Sequence, residues 1–337
     1  MGVKLATIIE KEPISFGALA GKTIAIDFSN FAFQFLSSIR QRDGTPLMDG
    51  HGNITSHLVG IWSRFSNLMQ REMHLIIVLD GLPPKQKMRE IEERHTRKEE
   101  ARGKYHQARE EEDTELMFHY AKQFSILTPA MIREAVELIG AMGMPVIQAP
   151  AEADAQIAYL TKQHDVWAGA SSDYDCMLHG AERLITNLTL SQKKKLPSGV
   201  IVKTSPELID LFKVLKQLDI TNDQLIYLAM LVGTDYNTGV HGIGPKKALK
   251  LVKEYKQPEK IFAAAKADIQ WREVYELFTN MPVERKFSLA WKDPGEQKIR
   301  DILINKHDFS EERVSATCEK LFKKQKDKQQ KGLSEWV

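Results

Sequence analysis

The sequence has 337 residues, 42% of them apolar and 27% charged, which is ordinary for one large globular domain or two smaller ones. The net charge of only +2 excludes a basic field over the whole surface, so any nucleic-acid site has to be a local patch. The two cysteines, Cys176 and Cys318, lie far apart, which fits a reducing compartment and argues against a disulfide framework and a structural zinc site.

The first part of the chain alternates short apolar runs with a helical pattern. The run "KTIAID" ends at Asp27 and the run "HLIIVLD" ends at Asp80, and both have the composition of buried strands. Between them, residues 54–70 place large apolar side chains at helical intervals, which predicts an amphipathic helix packed on a sheet. No apolar run approaches the roughly 18 residues that a membrane span needs, so the sequence predicts an intracellular protein with no membrane partner.

Residues 85–113 form a region of dense mixed charge with very few large apolar side chains. Such a region cannot bury much surface, so it should project into solvent. Composition leaves two interpretations open: a solvated helix with pairs of opposite charge, or an insertion that arches over a ligand and presents Lys and Arg to it. The helical pattern of the core resumes at Pro129, a residue suited to a first helical turn.

Two pairs of acids with a spacing of two residues follow in the middle of the chain. Glu152 and Asp154 stand in "APAEADAQ", and Asp173 and Asp175 stand in "SSDYDC", after a strand-like run. Packing of an amphipathic helix does not require this spacing, because side chains two residues apart point to different sides. Since acids repeatedly follow predicted strands, we expect an α/β fold with a mostly parallel sheet, whose ligand crevice lies where the strands end.

From Thr221 onward the sequence predicts two helices joined by a glycine-rich turn, with Asp235 in the connection and Pro245 opening the second helix. The turn, "GVHGIGPKKA", resembles a helix-hairpin-helix DNA contact, in which backbone N–H groups at a helix start approach phosphates. The residues that would serve this contact are Gly242, Gly244, Lys246 and Lys247. Gly before Pro also marks an ordinary helix start, so both interpretations stay open.

The acids together predict a site for divalent cations. A buried carboxylate without a partner costs several kcal/mol, so a cluster of carboxylates needs a cation. Oxygen ligands alone favour Mg²⁺, or Mn²⁺ in its place, over zinc. Two such ions about 4 Å apart can activate a water and stabilise the leaving oxygen of a phosphodiester. Taken singly, each acid could instead cap a strand or a helix. The seven candidates are Asp27, Asp80, Glu152, Asp154, Asp173, Asp175 and Asp235.

Five motifs, in a fixed order, give the sequence a family resemblance: "IAIDFSNFAFQFL", "VLDGLPPKQK", "APAEADAQIAYL", "SSDYDCMLHG" and "LVGTDYNTGVHGIGPKKALKLV". Together they resemble the flap endonuclease branch of the XPG family of structure-specific nucleases, and the match extends from "MGVKL" to the C-terminus. The resemblance implies a PIN-like core that acts as a monomer and cuts 5′ flaps in branched DNA with two Mg²⁺ ions during replication and repair. It also implies 5′–3′ exonuclease activity.

The resemblance further implies roles for individual residues. The seven acids fall on the metal-ligand positions of the family. Lys87 and Arg94 fall where a helical arch, expected at 82–128, presents catalytic cations to the scissile phosphate. DNA contacts are implied for an aromatic that stacks on a base and for two cations near the active site, namely Phe33, Arg40 and Arg64.

The remaining segments also have implied roles. A helix-two-turn-helix element at 219–256 would hold a K⁺ ion beside the duplex, within a single nuclease domain at 1–325. Residues 326–337 are expected to be a flexible tail, in which "QKGLSEWV" resembles the peptide that binds the sliding clamp, PCNA. The anchor residues of that peptide would be Gln330, Leu333 and Trp336.

The sequence departs from the family pattern at Asp154, where Glu is usual, at His179, where an aromatic is usual, and at Val337, where the clamp peptide has a second aromatic. The chain also lacks the long basic extension of eukaryotic relatives, which favours an archaeal-type, cytoplasmic enzyme over a nuclear one. Two alternatives are another 5′ exonuclease or junction-cutting nuclease of the family, and a non-catalytic DNA-binding scaffold tethered to the clamp. The short charged arch favours the flap enzyme, and the acids argue against the scaffold, since binding alone would not require them.

Overall fold

The computed structural model describes residues 3–41, 43–189, 193–195 and 201–334. Its strands are short, and within the described ranges they are β1 (Glu12–Pro13), β2 (Thr23–Asp27), β3 (His74–Leu79), β4 (Val146–Gln148), β5 (Ala168–Ala170), β6 (Arg183–Thr186), β7 (Lys193–Lys195), β8 (Ile201–Lys203) and β9 (Glu207–Asp210).

Helices make up most of the other regular structure in these ranges. The α-helices are α1 (Phe28–Ser38), α2 (Ser56–Gly60), α3 (Ser66–Gln70), α4 (Met88–Glu110), α5 (Thr114–Ala121), α6 (Pro129–Ala141), α7 (Ala153–Lys162), α8 (Asp175–Leu178), α9 (Leu211–Leu218), α10 (Asn222–Val232), α11 (Pro245–Tyr255), α12 (Pro258–Ala264), α13 (Trp271–Asn280), α14 (Glu296–Arg300) and α15 (Glu311–Ser334). Turns of 3₁₀-helix lie at Gly17–Leu19 and Lys85–Lys87, and turns of π-helix lie at Ile61–Phe65 and Asp301–Asn305.

The chain divides into two compact units, each built from three segments. The first unit contains Met1–Asn30, Val78–Glu93 and Ile147–Phe287. The second unit contains Phe31–Ile77, Arg94–Val146 and Ser288–Val337. The sequence predicted one nuclease domain over 1–325, a boundary that nothing in the structure tests.

The first unit is built on a mixed sheet with strand order β1-β9-β6-β5-β2-β3-β4, in which β3 and β4 belong to the unit through their last two residues. β2 pairs in parallel with β5, and β5 pairs in parallel with β6. β9 runs antiparallel to β6, and β1 runs antiparallel to β9. Ile24, Ala25 and Ile26 of β2 are fully buried, as expected for a strand covered on both faces. The predicted α/β fold with a mostly parallel sheet is therefore confirmed.

The strand ends explain where the acids lie. Asp27 is the last residue of β2, and Asp80 directly follows β3. Glu152 comes three residues after Ala149, which follows β4, and Asp173 comes three residues after the end of β5. Because the carboxyl ends of parallel strands meet at one edge of a sheet, these acids are brought to the same edge of the first unit.

The second unit contains the helix predicted at 54–70. It consists of α2, the π-helical turn and α3, which follow one another without a break. Phe65 is fully buried, and its ring lies 6.2 Å from that of Phe31 and 5.9 Å from that of Phe35, between ring centroids. The predicted periodic apolar face is therefore the face that packs inside this unit.

The region of mixed charge forms helices α4 and α5, within the predicted bounds 82–128. Only Ala101 and Ala108 are buried along the 23 residues of α4, so this helix has no apolar face wide enough to pack against a core. The carboxylate of Asp113 begins α5 by accepting hydrogen bonds from the N–H groups of Glu115 and Leu116, at 3.0 and 2.9 Å.

The C-terminal segment was predicted to be a flexible tail from residue 326. In the described backbone, α15 continues to Ser334, and the Lys and Gln residues of this stretch are good helix formers. The flexible tail stays a prediction. Gln330 and Leu333 lie in this helix, whereas Trp336 and Val337 fall outside the described residues. Among the described helices, none is long and apolar enough to span a membrane.

Candidate active site

All seven predicted acids lie in the first unit, together with Lys87. Four of the seven acids are buried, Asp154 and Asp173 are partly exposed, and Asp80 is exposed. Asp27, Glu152, Asp175 and Asp235 are 6, 6, 7 and 9% exposed. The structure thus encloses acids that an ordinary surface would leave in water.

Asp27 is held by polar groups on both sides of its carboxylate. Its Oδ1 accepts a hydrogen bond from the N–H of Asn30 at 3.1 Å, and its Oδ2 accepts one from the hydroxyl of Ser171 at 3.0 Å. Asn30 Oδ1 in turn accepts hydrogen bonds from the N–H and the hydroxyl of Ser172, at 3.1 and 2.9 Å. These contacts join the end of β2 to the loop that carries Asp173.

Helix α7 begins inside the acid cluster. Glu152 is its N-cap residue, and Asp80 Oδ1 accepts a hydrogen bond from the N–H of Ala153, the first residue of the helix, at 2.8 Å. A helix start has free N–H groups and a partial positive charge, so both acids are favoured there. Helix capping alone would account for Asp80, but the other acids of the cluster have different partners.

Lys87 lies between two of the acids. Its Nζ donates a short hydrogen bond to Glu152 Oε2 and lies 3.3 Å from Asp235 Oδ2. The Lys87 side chain is only 16% exposed. Burial lowers the pKa of Lys87, but the charges of Glu152 and Asp235 outweigh burial and raise it above the ordinary value. The side chain is therefore a protonated cation within the cluster.

Neighbouring donors hold Asp154 and Asp175, one acid from each pair. Cys176 Sγ donates a hydrogen bond to Asp154 Oδ1 at 2.7 Å, and the N–H of Val3 donates one to Asp175 Oδ1 at 3.2 Å. Burial raises the pKa of the Cys176 thiol well above its ordinary value, so the thiol keeps the proton that it donates.

Mutual repulsion is the main electrostatic property of the cluster. Burial, followed by the charge of Asp80, raises the pKa of Asp27 to about 7. Burial, followed by the charge of Asp27, raises the pKa of Asp154 well above its ordinary value. Burial, followed by the charge of Asp173, does the same for Asp175. Lys87 supplies only one positive charge, so the cluster has an excess of negative charge that further cations would relieve.

The donor chemistry fits Mg²⁺, because the cluster offers many carboxylate oxygens and an excess of negative charge. In the part of the chain that the structure describes, however, no group of three or more His, Cys, Asp or Glu side chains is arranged so that it could hold a metal ion directly. Lys87 and Cys176 contact carboxylate oxygens of Glu152, Asp235 and Asp154. The metal ligands stay a prediction.

The predicted helix-hairpin-helix contact lies on α10, α11 and the turn between them. Gly244 is the N-cap residue of α11, and Gly242 has a φ of 75°, which favours glycine. No atom lies within 4 Å of where a Cβ would stand on either glycine, so the backbone there is open to an approaching group. Lys246 and Lys247 are exposed in the first turn of the same helix.

The second unit holds four of the predicted DNA-contacting or catalytic residues. Phe33 lies under Lys98, whose Nζ is 4.7 Å from the centroid of its ring. Arg40 is half-buried and donates to Gly44 O at 2.7 Å and to Ser125 Oγ at 2.6 Å, so its guanidinium already has structural partners. Arg64 and Arg94 are partly exposed, on the π-helical turn and on α4 respectively.

Several residues of the site were not predicted from the sequence. Asn30, Ser171 and Cys176 hold the carboxylates of Asp27 and Asp154. All three stand within quoted motifs, so their positions beside acids were a usable signal. The pairing of Lys87 with Glu152 had no such signal, because the two residues are 65 positions apart.

Comparison with known proteins agrees with this geometry. Residues 1–101 match the family model described as the XPG N-terminal domain, and residues 143–235 match the XPG I-region. The chain is 45% identical to flap endonuclease 1 of Staphylothermus marinus, over 100% of this chain and 99% of that protein. It is 46% identical to flap endonuclease 1 of Pyrococcus abyssi, over 100% and 98%. Its fold resembles flap endonuclease-1 from Methanococcus jannaschii with a TM-score of 0.77 and 39% identity, covering 96% of this chain and 98% of that chain.

Proposed function

Because the chain belongs to the flap endonuclease 1 family of XPG nucleases and is therefore a structure-specific flap endonuclease that processes DNA, we propose that it cuts 5′ flaps at a two-metal centre held by its acid cluster. The observation that carries this proposal is that burial and then the charges of neighbouring acids raise the pKa values of Asp27, Asp154 and Asp175. A stable fold gains nothing from such repulsion, whereas a site for divalent cations needs it.

The metal ligands would come from all seven acids, some of them through water. Bound Mg²⁺, or Mn²⁺ in its place, would ionise the attacking water and stabilise the charge that develops on the phosphodiester. Asn30 and Ser171 would keep the Asp27 carboxylate in one orientation, since both of its oxygens accept hydrogen bonds from them.

Lys87 has a role of its own in this proposal. Its ammonium is protonated and enclosed beside Glu152 and Asp235. The ammonium would donate to an oxygen of the scissile phosphate, where negative charge grows during cleavage, while the cations held by those carboxylates would stabilise the same charge. Arg94 is proposed to add a second cation from the arch at 82–128.

The duplex would be held by phosphate contacts that carry no sequence information. The N-terminal turn of α11, with Gly242, Gly244 and two exposed lysines, is proposed to bind the backbone of one strand, and K⁺ is proposed to bind at the same element. Phe33, Arg40 and Arg64 are proposed to contact DNA close to the cut.

A sliding clamp (PCNA) is the proposed protein partner, and the enzyme is proposed to act as a monomer. The motif "QKGLSEWV" carries this proposal, with Gln330, Leu333 and Trp336 as anchors in a groove of the clamp. Val337 stands in place of a second aromatic, so the clamp contact is expected to be weaker than one with both aromatics.

The proposal is tested with four end-labelled DNAs: a 5′ flap, a 3′ flap, a four-way junction and a duplex with a recessed 5′ end. We expect cleavage of the 5′ flap near its junction with Mg²⁺, slower release of nucleotides from the recessed 5′ end, and no cleavage with EDTA. Faster cleavage of the four-way junction, or release of single nucleotides without flap cutting, would favour the alternative family activities instead. Clamp binding without any cleavage would support the scaffold.

A further inference from the structure

A short segment outside the acid cluster contacts three of the elements that carry the acids. We call this segment, residues 278–285, the bracket; it contains the end of α13 and the stretch that follows it. The ring of Phe278 lies 5.1 Å from the ring of His179 and 5.1 Å from the ring of Tyr236, between centroids. Farther along the bracket, Glu284 exchanges two backbone hydrogen bonds with the side chain of Gln156, at 2.9 and 2.6 Å.

Each of these contacts lies next to a predicted metal ligand. Gln156 is on α7, two positions after Asp154, and Tyr236 directly follows Asp235. His179 directly follows α8, the helix that begins at Asp175. The bracket therefore contacts these three acid-bearing elements one to four residues from a predicted metal ligand.

The contacts of the bracket are buried. Gln156, Phe278 and His179 are 0, 3 and 5% exposed. The side-chain amide of Gln156 donates to Glu284 O and accepts from Glu284 N–H. These two hydrogen bonds hold the backbone of the bracket at Glu284 against α7. Buried hydrogen bonds of this kind are costly to leave unmade, which makes the arrangement rigid.

His179 ties two of the acid-bearing helices to the bracket. Its Nδ1–H donates to the carbonyl oxygen of Phe278 at 3.0 Å. Burial lowers the pKa of His179 to about 3, so its ring is neutral. The carbonyl oxygen of His179 accepts a hydrogen bond from Nζ of Lys162, at the end of α7, at 2.7 Å. The ends of α7 and α8 and the end of α13 thus meet at one residue.

We propose that the bracket is a positioning element for the metal centre, in which Phe278, His179 and Gln156 hold the acid-bearing elements at the spacing that Mg²⁺ requires. The inference rests on the proposed function, since it assigns residues that support that same site. Mg²⁺ accepts little deviation from octahedral geometry at 2.0–2.1 Å, so small shifts of several carboxylates weaken its binding. Residues that orient ligands from outside typically change metal affinity or activity 10–100-fold when altered.

The test compares Phe278→Ala with Trp271→Ala, a matched change at the other end of α13. Trp271 packs against Phe262 and Tyr227, with ring centroids 6.0 and 5.9 Å apart, away from the acids. Both variants lose a large aromatic from the same helix. We expect Phe278→Ala to raise the Mg²⁺ concentration for half-maximal flap cleavage about tenfold, and to weaken Mg²⁺ binding to the DNA-free protein to the same extent in calorimetry. Trp271→Ala should leave both values unchanged.

A second variant, Gln156→Met, keeps the test informative if Phe278→Ala does not fold. It preserves the length of the side chain and removes both hydrogen bonds to Glu284, and it should shift the Mg²⁺ dependence in the same direction. DNA affinity measured in EDTA should not change in any of these variants. Equal Mg²⁺ dependence of Gln156→Met and wild type, or an equal shift in Phe278→Ala and Trp271→Ala, would overturn the inference. Failure of the wild type itself to require Mg²⁺ would overturn the proposed function instead.

Discussion

At the scale of single residues, Lys87 has the most informative surroundings. Its ammonium lies against Glu152 and Asp235. This one internal positive charge offsets part of the repulsion among the buried acids. With metal ions bound by these acids, as proposed, Lys87 and the ions would compete for the same oxygens.

Replacement of Lys87 by Met should expose this competition. Met keeps the apolar stem and removes the charge, so Glu152 and Asp235 lose their counter-charge, and we expect the free energy of unfolding in EDTA to fall by about 3 kcal/mol. Mg²⁺ should recover more of this stability in the variant than in wild type, which urea unfolding with and without Mg²⁺ would measure. Lys85→Met, at an exposed position in the same 3₁₀ turn, is the control. An equal loss of stability with and without Mg²⁺ would show that Lys87 and metal do not compete.

At the scale of secondary-structure elements, α11 carries four lysines on a chain whose net charge is only +2. The N-terminal turn of α11 has Lys246 and Lys247, while the far end of the same helix has Lys253, whose Nζ lies 3.1 Å from Asp219 Oδ2. Among the described residues, an ion pair with an acid is seen at Lys253 and not at Lys246 or Lys247.

This difference predicts the salt dependence of DNA binding. Replacing Lys246 and Lys247 together by Ala should weaken flap binding and reduce the slope of log K against log salt by about 1 to 2, because each phosphate contact contributes about 0.9 to the slope. Fluorescence anisotropy over a salt series would measure both. The Lys253→Ala variant should keep the wild-type slope. If the slopes of all three proteins coincide, α11 does not bind the DNA backbone.

Among the secondary-structure elements, those set by short sequence patterns could be predicted, whereas contacts between distant segments could not. The strands ending at Asp27 and Asp80, and the two helices around Asp235, follow from apolar runs and from Gly and Pro signals, which act over a few residues. The bracket follows from no local pattern, because Gln156 and Glu284, which pair in it, are 128 positions apart. Residues 326–334 continue α15 in the described backbone, and the flexible tail stays a prediction.

At the scale of the whole molecule, the residues predicted to bind metal ions and DNA lie in a few local groups. All seven acids and Lys87 lie in the first unit, and the exposed lysines of α11 lie in the same unit. The second unit supplies Phe33, Arg40, Arg64 and Arg94, whose partners in DNA stay a proposal. Binding through such local patches should depend on the branched shape of the DNA and hardly on its sequence.

The central claim is that the buried acids form the metal centre that cuts DNA, and Asp173→Asn tests it most directly. The measurement is single-turnover cleavage of a labelled 5′ flap at saturating Mg²⁺, with flap affinity in EDTA measured in parallel. We expect Asp173→Asn to cut at least about a hundredfold more slowly, the upper end of what changes to residues outside the ligand set cost, and to bind the flap as well as wild type. The control is Asp165→Asn, which alters an exposed acid in the same unit and should cut at the wild-type rate. Cleavage by Asp173→Asn at the wild-type rate would contradict the account.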